Sequence, residues 1–533
     1  MVYRKIAKKN TPRPDFLFVK NRPQIVHFIG IGGIGMSALA QWFLALSKVE
    51  GLAQKWVVSG SDAVGNEITQ DLEKLGVRIK IGHKKTPIYG EQSRTIPRGC
   101  DIVVYSQAIR PENVELKEAR RRHIVTVSYP EALGELSKFY TTICIAGAHG
   151  KSTTTAMTAL ILIKAGFDPT VIVGTKLKEF PSTDSTGSPQ ASSGQASNFR
   201  NGKSEWLILE ADEYGRAFLN YSPRFTIVTN IDREHLDVYG NLKNIKKSFV
   251  DFFSRTENGG ALILNRDSEM LFALKPAVEK IAHKRRLKVI WYSLYGDGST
   301  SLTIQRSRTV KNPESKKIKK IIGIPGEHNI SNALGAFYLS KVFKISEETT
   351  LRAIADYRGS WRRMEYRGYL HIAYSKEHIA KGRIHKPYAI SHMPIYDDYA
   401  HHPTEIKATL HAFREKFPNK KIIAVFQPHQ AERLRLLWDE FKTAFADADM
   451  TLIVPMYQVA GRDRVNPKYT SEKLVQAIQK QDPKKLIFYL DNPKNLKKAL
   501  KTLLHSTFYI LHSPLLVMMG AGDIVKYTDN LIA

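Results

Sequence analysis

Short apolar runs recur along the chain, separated by stretches with helical spacing. The first is Gln24-Ile25-Val26-His27-Phe28-Ile29, followed after a glycine-rich turn by a helical stretch at 38–44. Runs at 56–59, 78–81, 102–105 and 124–127 continue this series to about Ser137. A second series opens at Ile143-Cys144-Ile145-Ala146, with a helix at 156–162 and strands at 206–209, 225–228 and 261–265. A third holds strands at 421–426, 450–454 and 515–519, with a helix at 436–446. Continuous apolar runs, unlike alternating ones, predict strands buried on both faces, and strands alternating with helices predict parallel sheets. The expected fold class is therefore α/β in three domains. Residues 1–22 read as a basic tail, 23–138 as a Rossmann-like domain, 139–361 as a phosphate-loop domain and 362–533 as a second Rossmann-like domain.

Two stretches break the pattern. Residues 181–203 are rich in Ser, Gly, Gln, Asn and Thr and predict a flexible surface insertion. Residues 375–393 are basic and carry His378, His385 and His392 without tight ligand spacing, which predicts a second surface excursion.

Two glycine loops carry candidate chemistry. Gly147-Ala148-His149-Gly150-Lys151-Ser152-Thr153 lies between a strand and a helix, the layout of a phosphate-binding loop. Glycines let backbone N–H groups approach phosphate oxygens; Lys151 would reach the outer phosphates and Ser152 would offer its hydroxyl to Mg²⁺. Ile145 stands where the full pattern has its first glycine, so the loop is a shortened variant. Carboxylates follow at a strand end, Glu210-Ala211-Asp212-Glu213, where they suit Mg²⁺, and His235 follows the next strand. The other loop, Gly30-Ile31-Gly32-Gly33-Ile34-Gly35, fits a nicotinamide dinucleotide and a nucleotide-sugar equally well, with Asp62 ending the next strand. His328, Asn329 and Asn332 share one helix face and would cap that helix or read an adenine edge.

Composition narrows the classes. The 533 residues contain two cysteines, Cys100 and Cys144, which excludes a disulfide scaffold and a cysteine-rich metal site and points to a reducing cytoplasm. No apolar run reaches the roughly 20 residues that span a bilayer. The net charge of +29 is scattered, with small clusters such as Lys316-Lys317, and lacks an aromatic–basic pattern. It reads as a basic solvated surface rather than as a nucleic-acid interface.

Taken in order, these pieces resemble the Mur ligases from Val26 to Ile524. The resemblance rests on the two glycine loops, Gly60-Ser61-Asp62, Glu210 to Glu213, Thr229-Asn230 with His235, and His328-Asn329 with Asn332. It also rests on Arg362-Arg363 with Glu365, Asp397-Asp398-Tyr399 with His401-His402-Pro403-Thr404, Gln427-Pro428-His429, and Gly520 to Ile524. It implies a UDP-binding first domain, a central ATPase domain and an amino-acid-binding third domain. The implied reaction is ATP-dependent joining of L-alanine to UDP-N-acetylmuramate through an acyl phosphate, in peptidoglycan precursor synthesis, by a cytoplasmic monomer or weak homodimer. A tripeptide-recycling ligase is the alternative, and a nicotinamide-dependent oxidoreductase a more distant one.

The resemblance also implies roles. Gly30, Gly32, Gly33 and Gly35 would hold the UDP pyrophosphate, with Asp62, His83 and Ser106 on the uridine and sugar side. Gly147 to Thr153, His328, Asn329, Asn332, Arg363 and Asp398 would bind ATP. Ser152, Glu210 and His235 would hold two Mg²⁺ (or Mn²⁺) ions. Lys151, Glu210, His235, His401, His429 and Arg433 would be catalytic, with Tyr399, His429 and Arg433 near alanine. Four departures stand out: Gln107 in a Ser-Ser-Ala position, Glu234 for aspartate, Gln430 for arginine, and no counterpart of a carbamoylated lysine near Lys246 and Lys247. No general base is assigned.

Overall fold

The structure is a computed structural model and describes residues 24–46, 56–82, 95–181, 196–295, 312–373, 390–458, 466–506 and 513–532. The expected tail and His83 lie outside these residues.

Three sheets organise the chain. The first contains β1 (Gln24–Ile29), β2 (Trp56–Asp62), β3 (Arg78–Ile81), β4 (Ile102–Tyr105) and β5 (Val125–Ser128), in the order β3-β2-β1-β4-β5. All its pairs are parallel. The order reverses between β1 and β4, the crevice where α/β sheets bind ligands, and the first glycine loop leaves β1 there.

The second sheet contains β6 (Thr141–Ala146), β7 (Thr170–Pro181), β8 (Ala196–Arg200), β9 (Trp206–Glu210), β10 (Phe225–Val228), β11 (Ala261–Asn265) and β12 (Lys288–Tyr292). Its order is β12-β11-β10-β6-β9-β7-β8, with β8 antiparallel to β7 and the other pairs parallel. Central β6 is dry: Ile143, Cys144, Ile145 and Ala146 are fully buried, as expected of a strand covered on both faces. Its C-terminal end delivers the second glycine loop into the helix Lys151–Lys164.

The third sheet contains β13 (Glu365–Ala373), β14 (Ile390–Asp398), β15 (Lys421–Phe426), β16 (Met450–Ile453), β17 (Leu486–Tyr489) and β18 (Pro514–Met519), in the order β13-β14-β18-β15-β16-β17. Only β13 runs antiparallel to its neighbour. Apolar clusters cover both faces, one around Phe413, Phe426 and Phe441 and the other around Ile423, Val425 and Leu516.

The sheets fall into two compact units. The first comprises residues 1–234, 241–322 and 330–357 and holds the first two sheets. The second comprises 235–240, 323–329 and 358–533 and holds the third.

Both expected insertions are shorter than the sequence suggests. Residues 196–200 form β8, in which Asn198 and Phe199 are buried, so this part of the 181–203 stretch is packed structure rather than a flexible surface. Residues 390–393 belong to β14, and Met393 is fully buried. The intervening 182–195 and 374–389 lie outside the described residues. The expected helix at 436–446 is two short helices, Ala431–Leu436 and Trp438–Lys442.

Candidate active site

In the first unit, the second glycine loop sits between β6 and the strand beside it. Gly147 (φ +131°) passes so close to Thr229 that a Cβ would lie 2.2 Å from its Oγ1. Gly150 (φ +82°) caps the helix Lys151–Lys164 in the left-handed conformation, and a Cβ there would meet Asn332 Oδ1 at 2.2 Å. The loop is pinned from β10's end. Thr229 Oγ1 and Asn230 Nδ2 donate to the His149 carbonyl at 2.6 and 3.0 Å, and the His149 N–H donates to Asn230 Oδ1 at 2.9 Å. The His149 ring lies 3.0 Å from Asp232 Oδ2. Three side chains, those of Thr229, Asn230 and Asp232, thus fix His149 and with it the shape of the loop.

Lys151 turns back onto its own loop. Its Nζ donates to the Gly147 carbonyl at 2.7 Å, to the Ala148 carbonyl at 3.2 Å and to Glu213 Oε2 at 2.9 Å. Burial opposes its charge, but Glu213, Asp212 and Glu210 outweigh burial and hold the ammonium above its ordinary pKa. Ser152 Oγ donates to Glu210 Oε1 at 3.1 Å, and the Gly174 N–H of β7 donates to Glu210 Oε2 at 2.8 Å. Burial raises the pKa of Glu210 against the opposing pull of Lys151. A serine hydroxyl and a desolvated carboxylate at this distance are hard oxygen donors, and they fit Mg²⁺. Glu234 is buried in the same unit.

The first glycine loop shows two different jobs for its glycines. The N–H groups of Gly30 and Ile31 donate to the Ser61 carbonyl, and the Gly32 N–H donates to Asp62 Oδ2 at 2.8 Å. Asp62 therefore braces the loop directly. A Cβ on Gly30 (φ +83°) would meet Ser106 Cβ at 3.1 Å, which places Ser106 beside the loop. A Cβ on Gly35 would meet the Tyr129 ring at 2.9 Å, so this glycine gives room for an aromatic side chain. A Cβ on Gly33 would meet nothing closer than the Gly30 carbonyl at 3.6 Å. Below the loop, buried Glu115 accepts from Ser61 Oγ at 2.6 Å and lies 3.2 Å from His27 Nε2.

In the second unit, Asp398 ends β14 and is buried. It accepts from the N–H groups of Met364 and Ala400 at 2.8 and 2.9 Å and from Thr409 Oγ1 at 3.1 Å. Arg362 and Arg363 stand over the Tyr399 ring at 5.0 and 5.2 Å, a cation–π arrangement. His401 Nδ1 lies 2.9 Å from the Tyr399 carbonyl, and its ring meets that of His429 edge-on at 6.1 Å. His429 stacks on Tyr457, and Arg433 donates to the His429 carbonyl at 3.3 Å. Arg362, Met364 and Gln430 have positive φ, conformations costly for residues with side chains and commonest at functional sites. His328 also belongs here: burial first, then Arg363, lowers its pKa to about 4. The Asn329 amide donates to the Pro325 carbonyl at 2.6 Å, anchoring the turn before the helix Glu327–Val342. His235 opens the short helix Leu236–Tyr239 with φ 54°.

The structure thus gathers Lys151, Ser152 and Glu210 in one place, with Gly147, Gly150 and Asn332, and gathers Tyr399, His401, His429, Arg433 and Arg363 in another. The sequence names Glu213 among the carboxylates that suit Mg²⁺ and Thr229-Asn230 as part of the family resemblance, without placing them against the loop, and gives no role to Gly174. Their signal was position: each stands on, or just past, a strand beside β6 or β9.

The comparisons with known proteins follow this geometry. Domain profiles match in order: Mur ligase family, catalytic domain, over residues 25–141; Mur ligase middle domain over 145–340; and Mur ligase, glutamate ligase domain, over 382–521. The UDP-N-acetylmuramate–L-alanine ligase of Sulfurihydrogenibium sp. is 32% identical over 95% of this chain and 96% of its own length. That of Sorangium cellulosum is 34% identical, covering 95% of each. Among solved structures, the UDP-N-acetylmuramate–alanine ligase of Thermotoga maritima aligns over 95% of this chain and 98% of its own, with a TM-score of 0.66 at 23% identity. A murein peptide ligase from Psychrobacter arcticus shares the fold with a TM-score of 0.60 at 21% identity, over 95% of this chain and 98% of its own. With three domain profiles in sequence and whole-length relatives above 30% identity, the chain belongs to the Mur ligase family.

Proposed function

We propose that this protein joins L-alanine to UDP-N-acetylmuramate, with ATP converted to ADP and phosphate. The observation that carries the reading is the Lys151–Ser152–Glu210 cluster on a phosphate loop, inside a chain whose full-length relatives carry that ligase name. Of the two readings of the first glycine loop, the nucleotide-sugar is the one this function needs.

The chemistry follows from the substrates. A carboxylate is a poor electrophile. An oxygen of the lactyl carboxylate attacks the γ-phosphorus and ADP leaves, giving an acyl phosphate. The alanine nitrogen then attacks the acyl carbon, the amine loses a proton, and phosphate leaves with the C–O bonding pair. The loop N–H groups and Lys151 balance charge on the phosphates. Ser152 and Glu210 would hold one Mg²⁺, and Glu210 with His235 a second; bound there, the ions screen phosphate charge from the incoming carboxylate. Tyr399, His429 and Arg433 would orient alanine, and Arg363, Asp398, His328, Asn329 and Asn332 would contact the nucleotide. ATP and UDP-sugars are cytoplasmic metabolites, and the same reading places the enzyme there.

The test is phosphate release across a panel of amino acids with UDP-N-acetylmuramate, with the product confirmed by mass. Release that requires both L-alanine and the nucleotide-sugar is expected. Release with a preformed tripeptide but not with alanine would assign the recycling reaction instead.

A further inference from the structure

The hairpin formed by β7 and β8 touches both candidate sites in the first unit. Gly174 in β7 donates its N–H to Glu210, as described. Two residues on in the same strand, buried Lys176 reaches the first domain. Its Nζ lies 2.6 Å from Glu67 Oε1 and 2.9 Å from Asp71 Oδ2. Glu67 and Asp71 are one turn apart on the helix Glu67–Lys74. The residue capping that helix, Asn66, donates its side-chain amide to the Gly32 carbonyl at 3.1 Å. Lys176 is therefore joined through one helix to the first glycine loop.

On β8, buried Asn198 grips the other helix that flanks this loop, Ile34–Leu46. Its Nδ2 donates to the Ile34 carbonyl and, at 2.9 Å, to Ser37 Oγ. Its Oδ1 accepts from Gln41 Nε2 at 2.9 Å. The hairpin holds the glycine loop from two sides, and its own strand holds the carboxylate of the ATP site.

From this geometry we propose that Lys176 and Asn198 are positioning residues, through which the β7–β8 hairpin sets the register between the first glycine loop and the Glu210 site. The catalytic part of the proposal rests on the function proposed above. Phosphoryl transfer between two separately bound substrates requires reacting atoms about 3–3.5 Å apart, and a loosened link leaves each site formed but out of register. The signature is a fall in kcat with little change in KM.

Two measurements on the full-length protein decide it. Amide hydrogen exchange over residues 30–37 needs no substrate. Lys176→Met and Asn198→Ala should speed it about tenfold or more while β18 stays protected. Glu67→Gln alters only an exposed partner, should leave folding intact and should speed exchange in the same direction by less. Unchanged exchange in all three variants overturns the link.

In the steady state, Lys176→Met should lower kcat at least about tenfold with both nucleotide KM values within about threefold, and Lys176→Arg should recover most of it. A loosened loop with unaltered kcat overturns the positioning role. If the parent enzyme releases no phosphate with alanine and UDP-N-acetylmuramate, the functional reading fails, and the exchange data still decide the link.

Discussion

Lys151 and Glu213 form a buried ion pair at the mouth of the phosphate loop, with Nζ 2.9 Å from Oε2 and both side chains largely shielded from water. The lysine that would meet ATP is held by the carbonyls of its own loop and by this carboxylate. Removing only the cation leaves Glu213 buried and uncompensated, which costs about 3–5 kcal/mol. Lys151→Met should therefore lose both stability and turnover. Lys151→Met with Glu213→Gln should regain most of the stability and none of the turnover, since a preorganised charge on the phosphates is worth about 10²-fold or more. Urea denaturation and phosphate release separate the two effects. Activity regained by the double variant would show that Lys151 serves the fold alone.

A second prediction concerns Gly150. An alanine there meets two obstacles: the left-handed backbone, worth about 1–2 kcal/mol, and the Asn332 oxygen 2.2 Å from the new Cβ. Gly150→Ala should weaken binding of a non-hydrolysable ATP analogue at least about tenfold. Adding Asn332→Ala relieves the overlap and not the backbone cost, so the double variant should unfold at more urea than Gly150→Ala and at less than the parent. Because Asn332 is itself assigned to the nucleotide, the double variant should not regain affinity for the analogue by calorimetry. Equal binding by the parent and Gly150→Ala would mean the loop does not need this shape.

How far the sequence reveals this molecule depends on where each residue sits in its sheet. Central strands such as β6 and β18 are continuously apolar because both faces are covered, and their boundaries are legible to within a residue or two. Edge strands are less visible. β13 exposes Tyr366 and Tyr369, and β12 and β17 are only partly buried, so their patterns merge with those of loops. β8 hides behind Ser- and Asn-rich composition because its polar residues are spent on contacts with another domain: Asn198 on Ile34 and Ser37, Ser197 on Gln41. The phosphate loop was legible because its glycines and Lys-Ser pair are consecutive. Its supports, Thr229, Asn230, Glu213 and Gly174, come from three other strands, and a pattern read along the chain cannot place them. Gly35 fits the fingerprint, yet its neighbour is Tyr129, which no local spacing reveals.

Gly174 offers a prediction that follows from such a non-local contact. A Cβ there would lie 2.7 Å from Glu210 Oε2, the oxygen that its own N–H binds. Gly174→Ala keeps the N–H but pushes the carboxylate away from Ser152. The expected result is a raised Mg²⁺ requirement and about a tenfold fall in kcat, with the melting temperature nearly unchanged because Gly174 itself is exposed. Magnesium titrations of parent and variant make the comparison. An unaltered magnesium dependence would remove Glu210 from the proposed metal site.

The last prediction concerns pH. His328 keeps part of its surface toward a cleft of about 580 Å³ that Thr404, Lys407 and His411 also line, yet it is enclosed enough for burial to dominate its titration. Burial, reinforced by Arg363, lowers its pKa from 6.5 to about 4. The imidazole is thus neutral in the folded protein at neutral pH, the form able to accept a hydrogen bond from a nucleotide base. Between pH 6.5 and 4 the unfolded chain binds a proton that the folded chain refuses. This part of the stability is therefore complete above pH 6.5 and is lost as pH falls toward 4. At about 1.4 kcal/mol per pKa unit, reduced for the open side of the ring, the loss is roughly 2–3 kcal/mol. His328→Gln removes the titration and should flatten that share of the acid-side slope, so the variant loses less stability than the parent between pH 7.5 and 4.5. Urea midpoints at the two pH values measure the difference. Equal losses in parent and variant would mean that His328 takes up its proton as readily folded as unfolded, contrary to the burial described.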